Sequence, residues 1–340
     1  MTEPHAERHA SMKLLVTGGA GYVGSFCVRG LCDRGHEVVV WDNLGAGHAA
    51  AVDPRATFVL GDLADARALE TLIRDAGFDG VLHFAAYLNV GESVAEPLKY
   101  YRNNVVHTIT LLDLMQKYQV LRLVFSSTCA CYGIPAAVPI TESMPQAPIN
   151  PYGNTKLAME WAMRDSARAW KLGVTCLRYF NACGAAADGS LGEDHDPEIH
   201  LIPVILQVAL EQRENAQIFG VDYPTRDGSC IRDYVHVDDL VDAHVRAIET
   251  QEPGEFRAYN VGTGVGTSVK QVLEAAREVT GHPIPAKPAP RRPGDPPELY
   301  ADPGKLMAEL EWQPRHTDIR EIIETAWAWH RSHPHGYGDA

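Results

Sequence analysis

The regular pattern begins at residues 13–17 (KLLVT), a short unbroken apolar run of the kind buried on both faces of a parallel sheet. Glycine-punctuated sequence follows, and residues 25–34 then carry apolar positions at helical spacing. Further apolar runs at 38–41 (VVVW), 57–60, 80–83, 121–126 and 174–178 read as strands. The stretches at 66–76, 97–118 and 152–172 read as helices. Strand alternating with helix, each strand apolar throughout, predicts an α/β fold built on a doubly wound parallel sheet.

Beyond residue 181 the pattern changes. Residues 184–200 are acidic and glycine-rich without periodicity and read as a loop, 201–212 as a helix, and 319–331 as a closing helix. Residues 283–297 hold seven prolines in fifteen positions, which excludes helix and reads as loop. A nucleotide-binding domain over 12–181 is expected, with a smaller C-terminal α/β substrate lobe over 182–340. Segments near 234–262 are expected to return to the first domain.

Charge narrows the possible ligands. Acidic residues outnumber Lys and Arg by 44 to 30, so the basic surface of a nucleic-acid binder is not expected, and local arginines must hold any anionic ligand. No run of about 18 apolar residues occurs, so no membrane partner is expected. Residues 1–12 are polar and read as a loose tail, not a secretory signal. Seven cysteines, an odd count without CxxC spacing, point to free thiols in the cytoplasm and to no metal site.

Candidate chemistry starts after the first strand. Gly18, Gly21 and Gly24 form GxxGxxG between strand and helix. Glycine there permits a tight turn and close backbone approach to a pyrophosphate, which the helix N-terminus then favours. Asp42 ends the next strand, where a carboxylate can accept both ribose hydroxyls and repel a 2′-phosphate, so NAD is favoured over NADP. Together these make the sheet a Rossmann fold. Asp62 either meets the adenine or caps the following helix. Tyr152 and Lys156 lie one helical turn apart, and a neighbouring ammonium favours the phenolate, tuning Tyr152 towards a base. YxxxK alone arises readily by chance; its weight comes from Ser126-Ser127-Thr128 at the carboxyl end of a strand, where ligands of such sheets sit. Cys129 and Cys131 read as packing residues.

With these residues in view, the chain resembles the extended short-chain dehydrogenase/reductase family, in its branch of nucleotide-sugar 4-epimerases. The resemblance runs from about residue 13 to 337. Its motifs are VTGGAGYVGS, WDNL, GDL, HFAA with VGES, YYRNNV, FSST with YG, PYGNTK, LRYFN, IFGVDYPTRDG, RDYVHVDDL, YNVG and RRPGD. It implies NAD as cofactor and a UDP-sugar as substrate, UDP-glucose and UDP-galactose interconverting at C4 through a 4-keto sugar. UDP-N-acetylhexosamines or UDP-pentoses are the alternative. It implies cofactor contacts at Gly18, Gly21, Tyr22, Val23, Gly24, Asp42, Asn43, Asp62, Leu63, Phe84, Ala85, Asn104, Ser126, Tyr152, Lys156 and Tyr179. Catalysis falls to Tyr152, Lys156 and Thr128. Substrate contacts fall to Thr128, Tyr152, Asn181, His200, Leu201, Phe219, Arg232, Tyr234, Arg292, Asp295 and Leu299.

The residues themselves agree with the last set only in part. Arg232 and Arg292 can hold a diphosphate and Phe219 can stack on uracil, but Arg232 could equally pair with Asp233 or Asp238, and Phe219 could be core. Four positions depart from common family patterns: Thr128 for serine, His200 for asparagine, Leu88 for lysine and Leu299 for tyrosine. The last is expected to widen the sugar pocket and admit larger sugars. A 4,6-dehydratase would need an acid–base carboxylate pair after Thr128, where Cys129 and Ala130 stand. A non-catalytic NAD-sensing module would usually lack the tyrosine or the lysine. Apolar residues on more than one face of the helices at 97–118 and 152–172 lead to the expectation of a homodimer.

Overall fold

The computed structural model describes residues 10–292 and 295–338; the start of the polar tail, and Pro293 and Gly294 of RRPGD, lie outside the described residues. The first half alternates β1 (Lys13–Thr17), α1 (Tyr22–Asp33), β2 (Glu37–Asp42), β3 (Thr57–Leu60), α2 (Ala66–Ala76) and β4 (Gly80–His83). It continues through α3 (Val90–Ala95), α4 (Pro97–Tyr100), α5 (His107–Lys117), β5 (Arg122–Thr128), α6 (Pro151–Trp170) and β6 (Gly173–Tyr179). The expected single helix at 97–118 is α4 and α5 joined by a π-helical stretch, Tyr101–Val106. Periodicity did not reveal that widened turn, because one extra residue per turn barely shifts an apolar stripe.

After residue 181 come β7 (Asn181–Cys183), α7 (Leu201–Ala209), β8 (Ala216–Phe219), β9 (Ile231–His236), α8 (Val237–Glu249) and β10 (Phe256–Val261). Then follow β11 (Gly266–Ser268), α9 (Val269–Thr280), β12 (Ala286–Ala289), β13 (Glu298–Leu299), α10 (Gly304–Leu310) and α11 (Ile319–Ser332). The proline-rich stretch is therefore not all loop: β12 pairs in parallel with β8 in a two-stranded sheet. Proline is tolerated there because a strand with one neighbour needs only one row of ladder bonds.

The main sheet has the order β10-β6-β5-β4-β1-β2-β3 and is parallel throughout. Strand order reverses between β1 and β4, so a crevice opens beyond their carboxyl ends. Thr17 and His83 face each other across that junction, Thr17 Oγ1 lying 2.6 Å from His83 Nδ1. The imidazole also meets Thr108 Oγ1 at 2.9 Å, and burial pushes its pKa down to about 3, so it stays neutral. One face of the sheet is covered by α1 and α8 through Val28, Leu31, Leu240 and Ile248. The other is covered by α2, α5 and α6 through Leu69, Ile73, Met115, Met159 and Met163. A second core lies between α7, α9 and α11, around Ile205, Leu206, Val272 and Ile323. A four-stranded sheet centred on β9, with β7, β11 and β13 beside it, links the two parts.

Candidate active site

A cavity of about 450 Å³ lies at the crevice. Gly18, at φ 76°, forms the turn after β1, and a Cβ there would stand 2.5 Å from Ala85 N. Gly24, in the first turn of α1, packs on the same turn: a Cβ would stand 2.1 Å from the Gly18 carbonyl oxygen. Gly21 caps α1 without a side chain, and the first turn (Tyr22, Val23, Gly24) lines the cavity, leaving its N–H groups for an anion. The turn fits a pyrophosphate on these grounds. Gly24→Ala is accordingly expected to raise the Kd for NAD at least about tenfold, read by equilibrium dialysis.

Asp42 lines the cavity at the end of β2 and already binds the loops around it, Oδ2 accepting from Ala20 N at 2.9 Å and Oδ1 from Leu44 N at 2.8 Å. Each oxygen keeps a lone pair for a ribose hydroxyl. Asn43 Nδ2 donates to Asp62 Oδ2 at 2.7 Å. Asp62 accepts from Ala64 N and is not the cap of α2; Asp65 is, accepting from Ala68 N. Leu63, Phe84 and Ala85 line the same cavity, as does Tyr22, whose hydroxyl donates to the Gly184 carbonyl. Asn104 does not reach it: its buried amide exchanges hydrogen bonds with the backbone of Tyr87 and donates to Thr155 Oγ1, so it acts on the cavity through Tyr87.

The opposite wall carries Ser126, Thr128, Tyr152, Lys156 and Tyr179. Asn150 caps α6 and Pro151 opens it, which places Tyr152 and Lys156 one turn apart on the cavity side. Lys156 Nζ donates to the Ser126 carbonyl at 2.7 Å, 4.9 Å from the Phe125 ring centre, and burial lowers its pKa to about 8. Burial raises the Tyr152 phenol well above its ordinary value, and the hydroxyl of Thr128 works against that rise. Thr128 Oγ1 accepts from Ala130 N at 3.1 Å, so it caps a short turn, and its O–H is left as a donor beside Tyr152. Tyr179 hydrogen-bonds His244, and Phe84 stacks on the same imidazole. Cys129 and Cys131 are buried thiols pushed up to about 12 and are inert packing.

Of the residues expected at a UDP-sugar, Asn181 and His200 line this cavity along with Thr128 and Tyr152. The rest gather around the β9 sheet instead. Arg232 is paired with Asp295, correcting the pairing with Asp233 or Asp238. Asp233 is fully buried and taken up by the backbone N–H groups of Thr263, Gly264 and Ala301. The Arg292 guanidinium lies 3.9 Å from the centre of the Phe219 ring, so Phe219 is a stacking surface and not core. Tyr234 sits opposite Asn181 in register, and Leu201 opens α7. Leu299 pairs with Arg232 and packs against Cys129, Tyr132, Ile140, Phe180 and Ala301. It does not itself line the cavity but packs behind Cys129 and Phe180, which do.

Two sets of residues were not read from the sequence. Glu160, buried one turn beyond Lys156, accepts from Ser127 Oγ at 2.5 Å and from Arg178 Nη2 at 2.6 Å. A glutamate at i+4 from the lysine was the available signal. Glu193 and His195 form part of the cavity wall beside the expected His200, with Glu198 behind them. The repeated Glu-x-His spacing at 193–195 and 198–200 was visible, and the reading from cysteine spacing alone did not reach it.

This fold and cavity define a dinucleotide-dependent enzyme of the short-chain type. A family model described as the NAD dependent epimerase/dehydratase family matches residues 14–262, and the chain belongs to that family. The UDP-glucose 4-epimerase of Halalkalibacterium halodurans is 52% identical over 327 residues, covering 96% of this chain and 98% of its own. UDP-arabinose 4-epimerase 1 of Arabidopsis thaliana is 44% identical, covering 96% of this chain and 81% of its own. The UDP-glucose 4-epimerase of Bifidobacterium longum, solved with NAD+ and UDP, superposes with a TM-score of 0.92 at 38% identity, covering 96% of this chain and 100% of its own. Among the described residues no helix is long and apolar enough to cross a membrane.

Proposed function

We propose that this chain interconverts UDP-glucose and UDP-galactose by inverting C4 through a 4-keto sugar, with NAD as its cofactor. The observation that carries this reading is that Tyr152 and Thr128 face the same cavity as the Gly18–Gly24 turn and Asp42. A similarity of 52% to a relative named for UDP-glucose, against 44% to one named for UDP-arabinose, supports the hexose over the pentose.

Bound NAD supplies the acceptor, and then the donor, of the C4 hydride. Tyr152 takes the O4 proton as the alcohol becomes a carbonyl and returns it to O4 when the hydride comes back, so no electrons or protons are gained or lost overall. Thr128 aligns O4 by donating its hydroxyl. The Lys156 ammonium, fixed on the Ser126 carbonyl, favours the phenolate. The main sheet holds the cofactor and the lobe around β9 holds the UDP. There Arg232, with Asp295 beside it, and Arg292 meet the diphosphate, and Phe219 takes the uracil. The exposed apolar residues Leu98, Val106, Ile109 and Trp161, on the π-linked α4–α5 and on α6, support pairing of two copies through these helices. Seven free cysteines support a cytoplasmic setting.

The test uses UDP-galactose carrying deuterium at C4. Full retention of the label in UDP-glucose, with no net NADH released, is the expected outcome. Loss of the label to water or to added free coenzyme at each turnover would overturn the reading.

A further inference from the structure

The loop between β7 and α7 folds so that Glu193, His195, Glu198 and His200 each bring one ligand atom within 4.8 Å of the other three. Both carboxylates are buried, at 4% and 8% exposure. His195 Nδ1 stands 3.3 Å from Glu193 Oε1 and 3.6 Å from Glu198 Oε2. His200 Nδ1 stands 2.8 Å from Glu193 Oε1 and 3.1 Å from Glu198 Oε1. The His195 nitrogen is sealed from solvent and aligned with neither carboxylate as a hydrogen bond. His200 has the spacing of a charge-assisted hydrogen bond to Glu193, about 2.7–2.9 Å, whereas His195 stands farther from both carboxylates. A tetrahedral zinc ion with bonds of ~2.0–2.1 Å holds its ligand atoms about 3.3 Å apart, the separation of His195 Nδ1 from Glu193 Oε1.

We propose that Glu193, His195, Glu198 and His200 bind one zinc ion in a closed site of two imidazoles and two carboxylates. Charge supports the assignment. Two buried carboxylates need two positive charges beside them, supplied either by two imidazolium protons or by one divalent cation with both rings neutral. Zinc takes the place of those two protons at the same net charge. Imidazole nitrogens select zinc and its transition-metal neighbours over magnesium and calcium, which take oxygen cages. Four protein ligands leave no open position, so the ion is a brace and not a Lewis acid. It ties the 184–200 loop to the start of α7, on the wall where Glu193, His195 and His200 face the cavity. The site stands apart from the epimerisation reading and does not rest on it.

A second cluster, His236, Asp238 and His316, serves as the control. His236 has both ring nitrogens engaged, Nδ1 by the Asp238 N–H and Nε2 by Thr325, so it has no lone pair to offer a metal. Full-length protein is stripped with EDTA, titrated with zinc chloride, gel-filtered and analysed for metal. About one zinc per chain is expected in the wild type and in His316→Ala, with affinity falling about tenfold or more in His195→Gln and Glu193→Gln. Zinc is expected to raise the Tm of the wild type but not of His195→Gln. Equal zinc binding by the wild type and both site variants would overturn the proposal. Should the variants fail to fold, cobalt(II) added to the wild type decides: intense four-coordinate visible bands support the site, and weak six-coordinate bands or none overturn it.

Discussion

Replacing Tyr152 by phenylalanine is expected to lower kcat by roughly 10²–10⁴-fold, the range lost when a positioned proton-transfer group is removed. The ring and its place on α6 are kept, so NAD affinity is expected to stay within about threefold of the wild type, or about 0.7 kcal/mol. The electrostatics explain why the loss is large. In its desolvated position the phenol resists ionisation; the Thr128 hydroxyl works against that, as do cations beside it. Lys156 is one of them, itself lowered to about 8 by burial and kept in place by the Ser126 carbonyl. Water cannot replace a base that depends on such neighbours. The measurement is kcat at saturating UDP-galactose together with NAD binding by equilibrium dialysis. A residual kcat within tenfold of the wild type would remove Tyr152 from the reaction.

The second large effect falls on stability. Glu160→Ala is expected to destabilise the fold by about 3–5 kcal/mol, because it leaves a buried guanidinium without its counter-charge. Arg178 and Glu160 side chains are 5% and 3% exposed, with Nε and Nη2 of the arginine donating to the carboxylate at 3.0 and 2.6 Å. The chain of contacts continues: Arg178 Nη1 donates to the Tyr132 hydroxyl, and that hydroxyl donates to Asn260 Oδ1. This ties α6, β6 and β10 to the turn after Thr128. Urea unfolding of Glu160→Ala, Arg178→Ala and the double variant checks the claim. The double variant should lose clearly less than the two single losses added together, since removing both charges leaves neither unpaired. Additive losses would show that the pair is not coupled.

Six of the seven strands of the main sheet were legible because each is a short apolar run; β10 (FRAYNV) was read only as part of a segment returning to the first domain. The turn at Gly18–Gly24 was legible for a related reason: only glycine meets its close approaches, so composition and geometry coincide. The short strands β7, β11 and β13 were not legible. Two or three residues carry no period, and their pairing with β9 joins positions up to 67 apart, as Glu298 to Ile231 and Asn181 to Tyr234 illustrate. Asn104 shows a different limit. The resemblance implied a cofactor contact, but its burial under Tyr87 makes it a support for the wall.

What the sequence determined by itself was the α/β order, the dinucleotide turn, the acid after β2 and the Tyr152–Lys156 pair on one helix face. Each rests on a local rule, the helical or strand repeat or the conformational freedom of glycine, that acts over a few neighbouring residues. The tertiary structure alone decided that Arg232 pairs with Asp295, that Glu160 holds Ser127 and Arg178 together, and that Leu299 packs behind Cys129 and Phe180. It also brought the four ligand atoms of the 193–200 loop to one point. Such contacts depend on which strands become neighbours and how tightly buried charges must be matched, and both are set only when the whole chain has packed.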